Sequence, residues 1–129
     1  MKLMAIDYGS KRVGIASTDE TGLFALPRLV LPNDNDLLEK VLKFKEENKI
    51  EKIIIGESKN LKGGPNPIQK DVEKFKNELE ESGVEVLYQT EIFTTMEARQ
   101  LQGQTEMTDA SAAALILKSF LDSVYNNDI

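Results

Sequence analysis

The sequence predicts an α/β domain built on a mixed five-stranded sheet, with its first three strands antiparallel and helices flanking it. Three observations predict this. Three β-prone runs crowd into residues 2–31 with only brief links between them, as in a meander. Beyond residue 34, helical and strand periodicities alternate, the order that gives parallel pairing. The run IIIG (53–56) is β-branched and uncharged, as expected of a strand covered on both faces. At 129 residues, one domain over 1–129 is expected, and a chain of this size buries a sizeable core.

KLMAIDY (2–8) is an apolar run ending in polar residues, hence a buried strand. RVGIAST (12–18) is a second, and the short GSK link makes the two a hairpin. LFALPRLVL (23–31) is a third, with Pro27 placing it at an edge or a bulge, because proline has no N–H for the ladder. Asp34 or Asn35 can cap a helix running to about Asn48, with Leu37, Leu38, Val41, Leu42 and Phe44 on its apolar face. IIIG follows as a central parallel strand.

ESKNLKGGPNP (57–67) is a loop by composition, and Asn66–Pro67 starts a helix. Ile68, Val72, Phe75 and Leu79 keep helical spacing up to a stop at Gly83. VEVLYQT (84–90) is the last strand. TTMEARQL (94–101) predicts a short helix. TDASAAALILKSFLDSVY (108–125) predicts a final one, with Ala113, Ile116, Leu117, Phe120, Leu121 and Val124 on its apolar side.

Composition removes whole classes of chemistry. The chain has no cysteine and no histidine. Disulfides, thiolate sites, Ser-His-Asp triads and the usual zinc sites are therefore excluded. Any metal must be held by oxygen, which favours magnesium, manganese or calcium. Asp7 interrupts the N-terminal apolar stretch, and no run of 18 apolar residues occurs, so neither a signal peptide nor a membrane span is expected. A cytoplasmic protein is expected. The net charge of −6 opposes non-specific attraction to nucleic acid.

Three acids stand out by position. Asp7 ends the first strand, Glu91 follows the last strand, and Asp109 opens the final helix. Functional groups of open α/β sheets gather beyond strand ends. Clustered carboxylates repel one another until a cation neutralises them. A divalent pair there can clamp the attacking and leaving oxygens of a phosphodiester without help from histidine or cysteine. Each acid also has an ordinary structural explanation: a turn former at Asp7, a helix-dipole partner at Asp109, and a solvated side chain at Glu91. Asp7 is the hardest to dismiss, because strand interiors select against Asp.

DYGSKRVGIA, IIIG, EIFTTMEA and TDASAAALILKSFLD, in that order, resemble the YqgF family nearly end to end. Its members are provisionally named as Holliday junction resolvases or pre-16S rRNA nucleases. The resemblance implies an RNase H-like fold and a magnesium- or manganese-dependent nuclease with Asp7, Glu91 and Asp109 as catalytic and metal-binding acids. Cations local to the mouth, Lys11 and Arg12 in the hairpin, Lys59 and Lys62 in the Gly-Pro loop and Arg99 after the Thr94–Thr95 pair, are expected to contact nucleic acid together with that pair and Asn60, which matches the family's loop. Structured RNA or branched DNA is the expected partner, with the protein a monomer or weak homodimer. RNA processing is favoured, because symmetric cutting of a four-way junction needs a two-fold dimer. A nucleotide-phosphate site of the actin and sugar-kinase kind, and a binding module without activity, are the other readings.

The sequence departs from the family at three places. Asp-Glu-Arg becomes Thr90-Glu91-Ile92, Gly-Leu-Pro becomes Gly56-Glu57-Ser58, and the basic loop before the last helix shrinks to RQLQGQTEMT (99–108) with Arg99 as its cation. Glu57, following the central strand, is expected to serve as an auxiliary metal ligand. The few aromatics argue against a stacking platform for single strands, with Tyr8 beside Asp7 the one to watch.

Overall fold

Residues Leu3–Tyr8 form the first strand, β1, and Leu3, Met4, Ala5 and Ile6 in it are wholly buried. Both faces of β1 are apolar, so the chain must cover both. A computed structural model describes residues 2–57, 67–90 and 106–126. After β1 come β2 (Arg12–Thr18), β3 (Ala25–Pro32), α1 (Leu37–Glu47), β4 (Lys52–Glu57), α2 (Pro67–Glu81), β5 (Glu85–Thr90) and α3 (Glu106–Asn126).

The sheet order is β3-β2-β1-β4-β5. β1 pairs antiparallel with β2 and parallel with β4, β2 pairs antiparallel with β3, and β4 pairs parallel with β5. This is the expected mixed sheet with an antiparallel opening. β3 lies at the edge, and its register slips between Ile15 and Ala16, where Pro27 sits. The missing N–H of Pro27 thus finds both an edge and a bulge.

Strand alternation sorts the core into two layers. Met4, Ile6, Val13, Ile15, Ile53 and Ile55 pack with Leu37 and Val41 of α1 and with Val72, Phe75 and Leu79 of α2. Leu3, Ala5, Ala16 and Ile54 pack with Ala113, Ile116, Leu117 and Leu121 of α3. Each buried Ile or Leu contributes roughly 1.5–3 kcal/mol of transfer free energy. Ala5 and Ala16 are cross-strand partners. With Ala113 they let α3 lie close on the sheet.

The helix ends follow their local chemistry. α1 starts later than a cap at Asp34 or Asn35 would give. Asp34 instead turns the chain: its Oδ1 accepts the Asp36 N–H at 2.9 Å and its carbonyl accepts the Leu37 N–H at 3.2 Å, so Asp36 is the N-cap. α1 closes through Lys49 at φ 55°, with the Ile50 N–H returning to the Lys45 carbonyl. α2 begins at Pro67 and ends at Glu81, and the chain then turns through Gly83, whose φ of 87° a side chain would resist. α3 begins at Glu106, two residues before the expected start at Thr108. The helix expected over 94–101 lies outside the described residues.

The β2–β3 turn is organised by Asp19. Its Oδ1 accepts Thr21 Oγ1–H at 2.7 Å, and its main chain pairs with Phe24 at 2.9 Å. The Thr21 hydroxyl holds the Asp19 carboxyl below its ordinary value of 3.8. A depressed carboxyl stabilises the fold above that ordinary value and loses the contribution as pH falls through the folded value. Asp19→Asn is therefore expected to lower the Tm at pH 7, with the gap from wild type closing below about pH 3.8. A gap that stays constant down to pH 2.5 would assign the effect to turn geometry alone.

Candidate active site at the C-terminal edge of the sheet

Asp7 lies one residue from the end of β1 and is 8% exposed. It follows Leu3 and Ala5 in the alternation, so it occupies the face that α3 covers. A carboxylate placed so deep among apolar side chains needs a compensating partner.

The neighbours in its row leave space. Gly14 is its cross-strand partner on β2. On β4 the last pair is Ile6 with Ile55, and the next residue is Gly56. Both flanking positions thus lack side chains on the face that Asp7 occupies. Gln89 of β5 pairs with Gly56 and donates from Nε2 to Ser119 Oγ of α3 at 3.0 Å. The row Gly14, Asp7, Gly56, Gln89 thus carries one acid with a glycine on either side, and α3 is tied to its β5 end. A carboxylate oxygen is a donor of the kind a hard divalent cation takes.

The hairpin after Asp7 is tight. The Gly9 N–H donates to the Arg12 carbonyl at 3.0 Å. A Cβ at Gly9 would stand 2.5 Å from that oxygen, so only glycine fits. Lys11 and Arg12 are exposed at the tip. Asn33, just after β3, donates Nδ2–H to the Gly9 carbonyl at 2.8 Å. Sequence reasoning missed Asn33 and Gln89. Nothing in the spacing tells that an Asn after a strand reaches back to the first turn.

Asp109 lies in the first turn of α3. Its position precedes Ala113, which packs on the sheet, by one helical turn. Glu57 ends β4, paired with Thr90. Glu91, Asn60, Lys62, Thr94, Thr95 and Arg99 lie outside the described residues. Among the described residues no three acids gather into a metal-holding group.

Tyr8 turns away from this row. Its ring lies 5.4 Å from that of Phe75, on the α1/α2 side of the sheet. It lines a pocket of about 320 Å³ together with Asn33, Asp34, Asp71, Lys74 and Glu78. Three acids against one lysine do not suit a phosphate there, so Tyr8 packs as core.

The family described as RuvX, Holliday junction resolvase, matches residues 1–123. The chain belongs to this family. A relative from Flavobacterium psychrophilum, provisionally named a pre-16S rRNA nuclease, is 32% identical over 93% of this chain and 96% of its own. One from Phocaeicola vulgatus with the same name is 31% identical over 95% and 96%. Among solved structures, the chain is similar to Thermus thermophilus RuvC in complex with a Holliday junction, with a TM-score of 0.62 at 15% identity, covering 97% of this chain and 96% of that one. The fowlpox virus resolvase complexed with junction DNA gives 0.60 at 13%, covering 96% and 99%. The RNase H-like fold expected from the motifs is thereby borne out, and so is the family. No helix among the described residues is long and apolar enough to cross a membrane.

Gly9→Ala is expected to destabilise the domain by roughly 1–3 kcal/mol, because the methyl meets a backbone oxygen rather than a yielding side chain. Urea unfolding measures this, and a change under about 0.5 kcal/mol would show that the turn opens without strain.

Proposed function

We propose that this RuvX-family chain is a divalent-metal-dependent endonuclease acting on structured RNA, in the 5′-end processing of pre-16S rRNA. The observation that carries the reading is Asp7: a carboxylate buried at the end of the central strand, between two glycine positions, on the face that α3 covers. The names of the relatives support the substrate class. The absence of histidine and cysteine leaves oxygen ligands, hence Mg²⁺ or Mn²⁺.

In this reading Asp7, Glu91 and Asp109 hold the metal. When bound, divalent cations make a hydroxide nucleophile available near neutral pH and stabilise charge on the phosphate. The chain's own part is to hold the acids together and to hold the substrate in line. Lys11 and Arg12 would meet backbone phosphates from the hairpin, with Asn60, Lys62, Thr94, Thr95 and Arg99 completing the contact. Glu57 enters as an auxiliary ligand, because β4 runs parallel to β1 and ends at the same edge. Position 57 continues the series of Ile53 and Ile55, so it would serve from the flank of the cluster rather than from Asp7's row. A cytoplasmic monomer or weak homodimer fits this work. The second reading is Holliday junction resolution, favoured by the likeness to two resolvases solved with junction DNA. The third is a nucleic-acid-binding module without activity.

Labelled pre-16S rRNA and four-way-junction DNA, each with Mn²⁺, separate these readings. Asp7→Asn is expected to slow cleavage by at least ~100-fold, since the metal's charge stabilisation is worth several kcal/mol. It should also abolish the Mn²⁺-dependent rise in Tm while leaving the metal-free protein folded. Preference for the junction would select the second reading, and wild-type metal binding with no cleavage of either substrate the third. Glu57→Gln is expected to weaken Mn²⁺ affinity by less than Asp7→Asn does, and an unchanged affinity and rate would remove Glu57 from the site.

A further inference from the structure

The hairpin that carries Lys11 and Arg12 is tied at two points to one residue just past the end of β3. Asn33 donates its side-chain Nδ2–H to the Gly9 carbonyl at 2.8 Å, and its backbone N–H to the Lys11 carbonyl at 3.0 Å. Ser10, Lys11 and Arg12 are exposed, so burial cannot hold the tip in place. An exposed two-strand tip swings easily on its strands. Two bonds to one residue, one on each side of Ser10, remove that freedom.

Asn33 is itself well placed for this. It follows Pro32, which pairs with Arg12 across the sheet, so its backbone already stands beside the turn. It is partly buried, and its short side chain loses little freedom in making the bond. The bond needs an amide donor. A carboxylate in the same shape would set an oxygen against the Gly9 carbonyl.

We propose that Asn33 is a positioning residue: it holds the Gly9–Arg12 hairpin where Lys11 and Arg12 meet substrate phosphates beside Asp7. The inference rests on the nuclease reading above and extends it to a residue marked by neither charge nor motif. Asn33 touches neither substrate nor metal. It acts through the Gly9 and Lys11 carbonyls. Side-chain variants release one tie and keep the backbone one, so the hairpin loosens without leaving the sheet.

The test compares wild type, Asn33→Asp, Asn33→Ala, the hairpin variant Lys11→Ala/Arg12→Ala, and the hairpin variant carrying Asn33→Ala. Cleavage of labelled RNA with Mn²⁺ gives KM and kcat, anisotropy gives RNA affinity, and calorimetry gives Mn²⁺ affinity. Both Asn33 variants are expected to raise KM and weaken RNA binding by about fivefold, the worth of one hydrogen bond, with kcat and Mn²⁺ affinity little changed. The hairpin variant is expected to raise KM further and to reduce the salt slope of binding by about one per lost phosphate contact. Adding Asn33→Ala to it should then cost nothing more, because the clamp works through those cations.

A residue that only supported the fold would lower the Tm and leave KM per folded molecule unchanged. That result overturns the proposal, and so does an additive effect in the combined variant. If the Asn33 variants raise KM and the hairpin variant does not, the phosphate-binding reading of the hairpin fails, and the proposal fails with it. If wild type neither binds nor cleaves RNA but does so with junction DNA, the same series is read on the junction. Binding to neither overturns the proposal together with the nuclease reading. Should Asn33→Asp not fold, Asn33→Ala carries the comparison, since it removes the donor without adding a charge.

Discussion

A carboxylate kept at the end of a strand that is otherwise sealed from water is the constraint around which this domain is arranged. Leu3 to Ile6 are buried on both faces, which requires helices above and below the sheet. Asp7 continues the same strand and inherits its burial. An ion in that place is costly unless something compensates it. Glycine at the flanking positions on β2 and β4 puts no side chain beside the acid in its row. Stability and chemistry thus pull on one strand in opposite directions, and the change occurs between Ile6 and Asp7.

The acidic balance of the chain is compatible with a polyanionic substrate once charge is considered by location. Several cations far from the hairpin stand beside acids: Lys43 with Glu47, Lys52 with Glu85, and Lys76 with Glu80. Such exposed pairs contribute about 0–1 kcal/mol each and make those surfaces electrically mixed. Lys11 and Arg12 stand at an exposed tip, four and five residues after the buried acid. Within roughly a Debye length, about 8 Å at physiological salt, local charge outweighs the net charge of the molecule.

Much of the fold was legible in the sequence because its signals are local. IIIG announced a doubly covered strand, Pro27 an edge with a bulge, and Pro67 and Gly83 the two ends of a helix, each through backbone chemistry carried by the residue itself. The start of α1 was less legible, since NDND offers several competing caps, and Asp34 spends its side chain on a turn. Asp7 was legible as a candidate because an acid breaks an apolar run there, and its burial at the strand end is what the fold adds. Tyr8 shows the limit: adjacency in sequence suggested a shared role, yet alternation sends neighbours to opposite faces. Asn33 and Gln89 were illegible for the complementary reason. Their partners, Gly9 and Ser119, lie 24 and 30 residues away, and no periodicity encodes a contact between separate elements.

Asn33 also explains why the hairpin can be as tight as it is. Gly9 permits the turn by lacking a side chain, but a glycine also leaves the unfolded chain more freedom to lose. The carbonyls of Gly9 and Lys11 face the end of β3, where the Asn33 amide and N–H receive them. The conformational cost of the glycine is thereby offset by hydrogen bonds from a third strand. The turn after Asp7 is joined by two hydrogen bonds to Asn33, just past the end of β3. In the proposed nuclease, no loop would have to close before the first acid and the first cations stand in register. For phosphodiester chemistry, where positioning supplies much of the rate, that pre-arrangement would be the contribution of the opening strands.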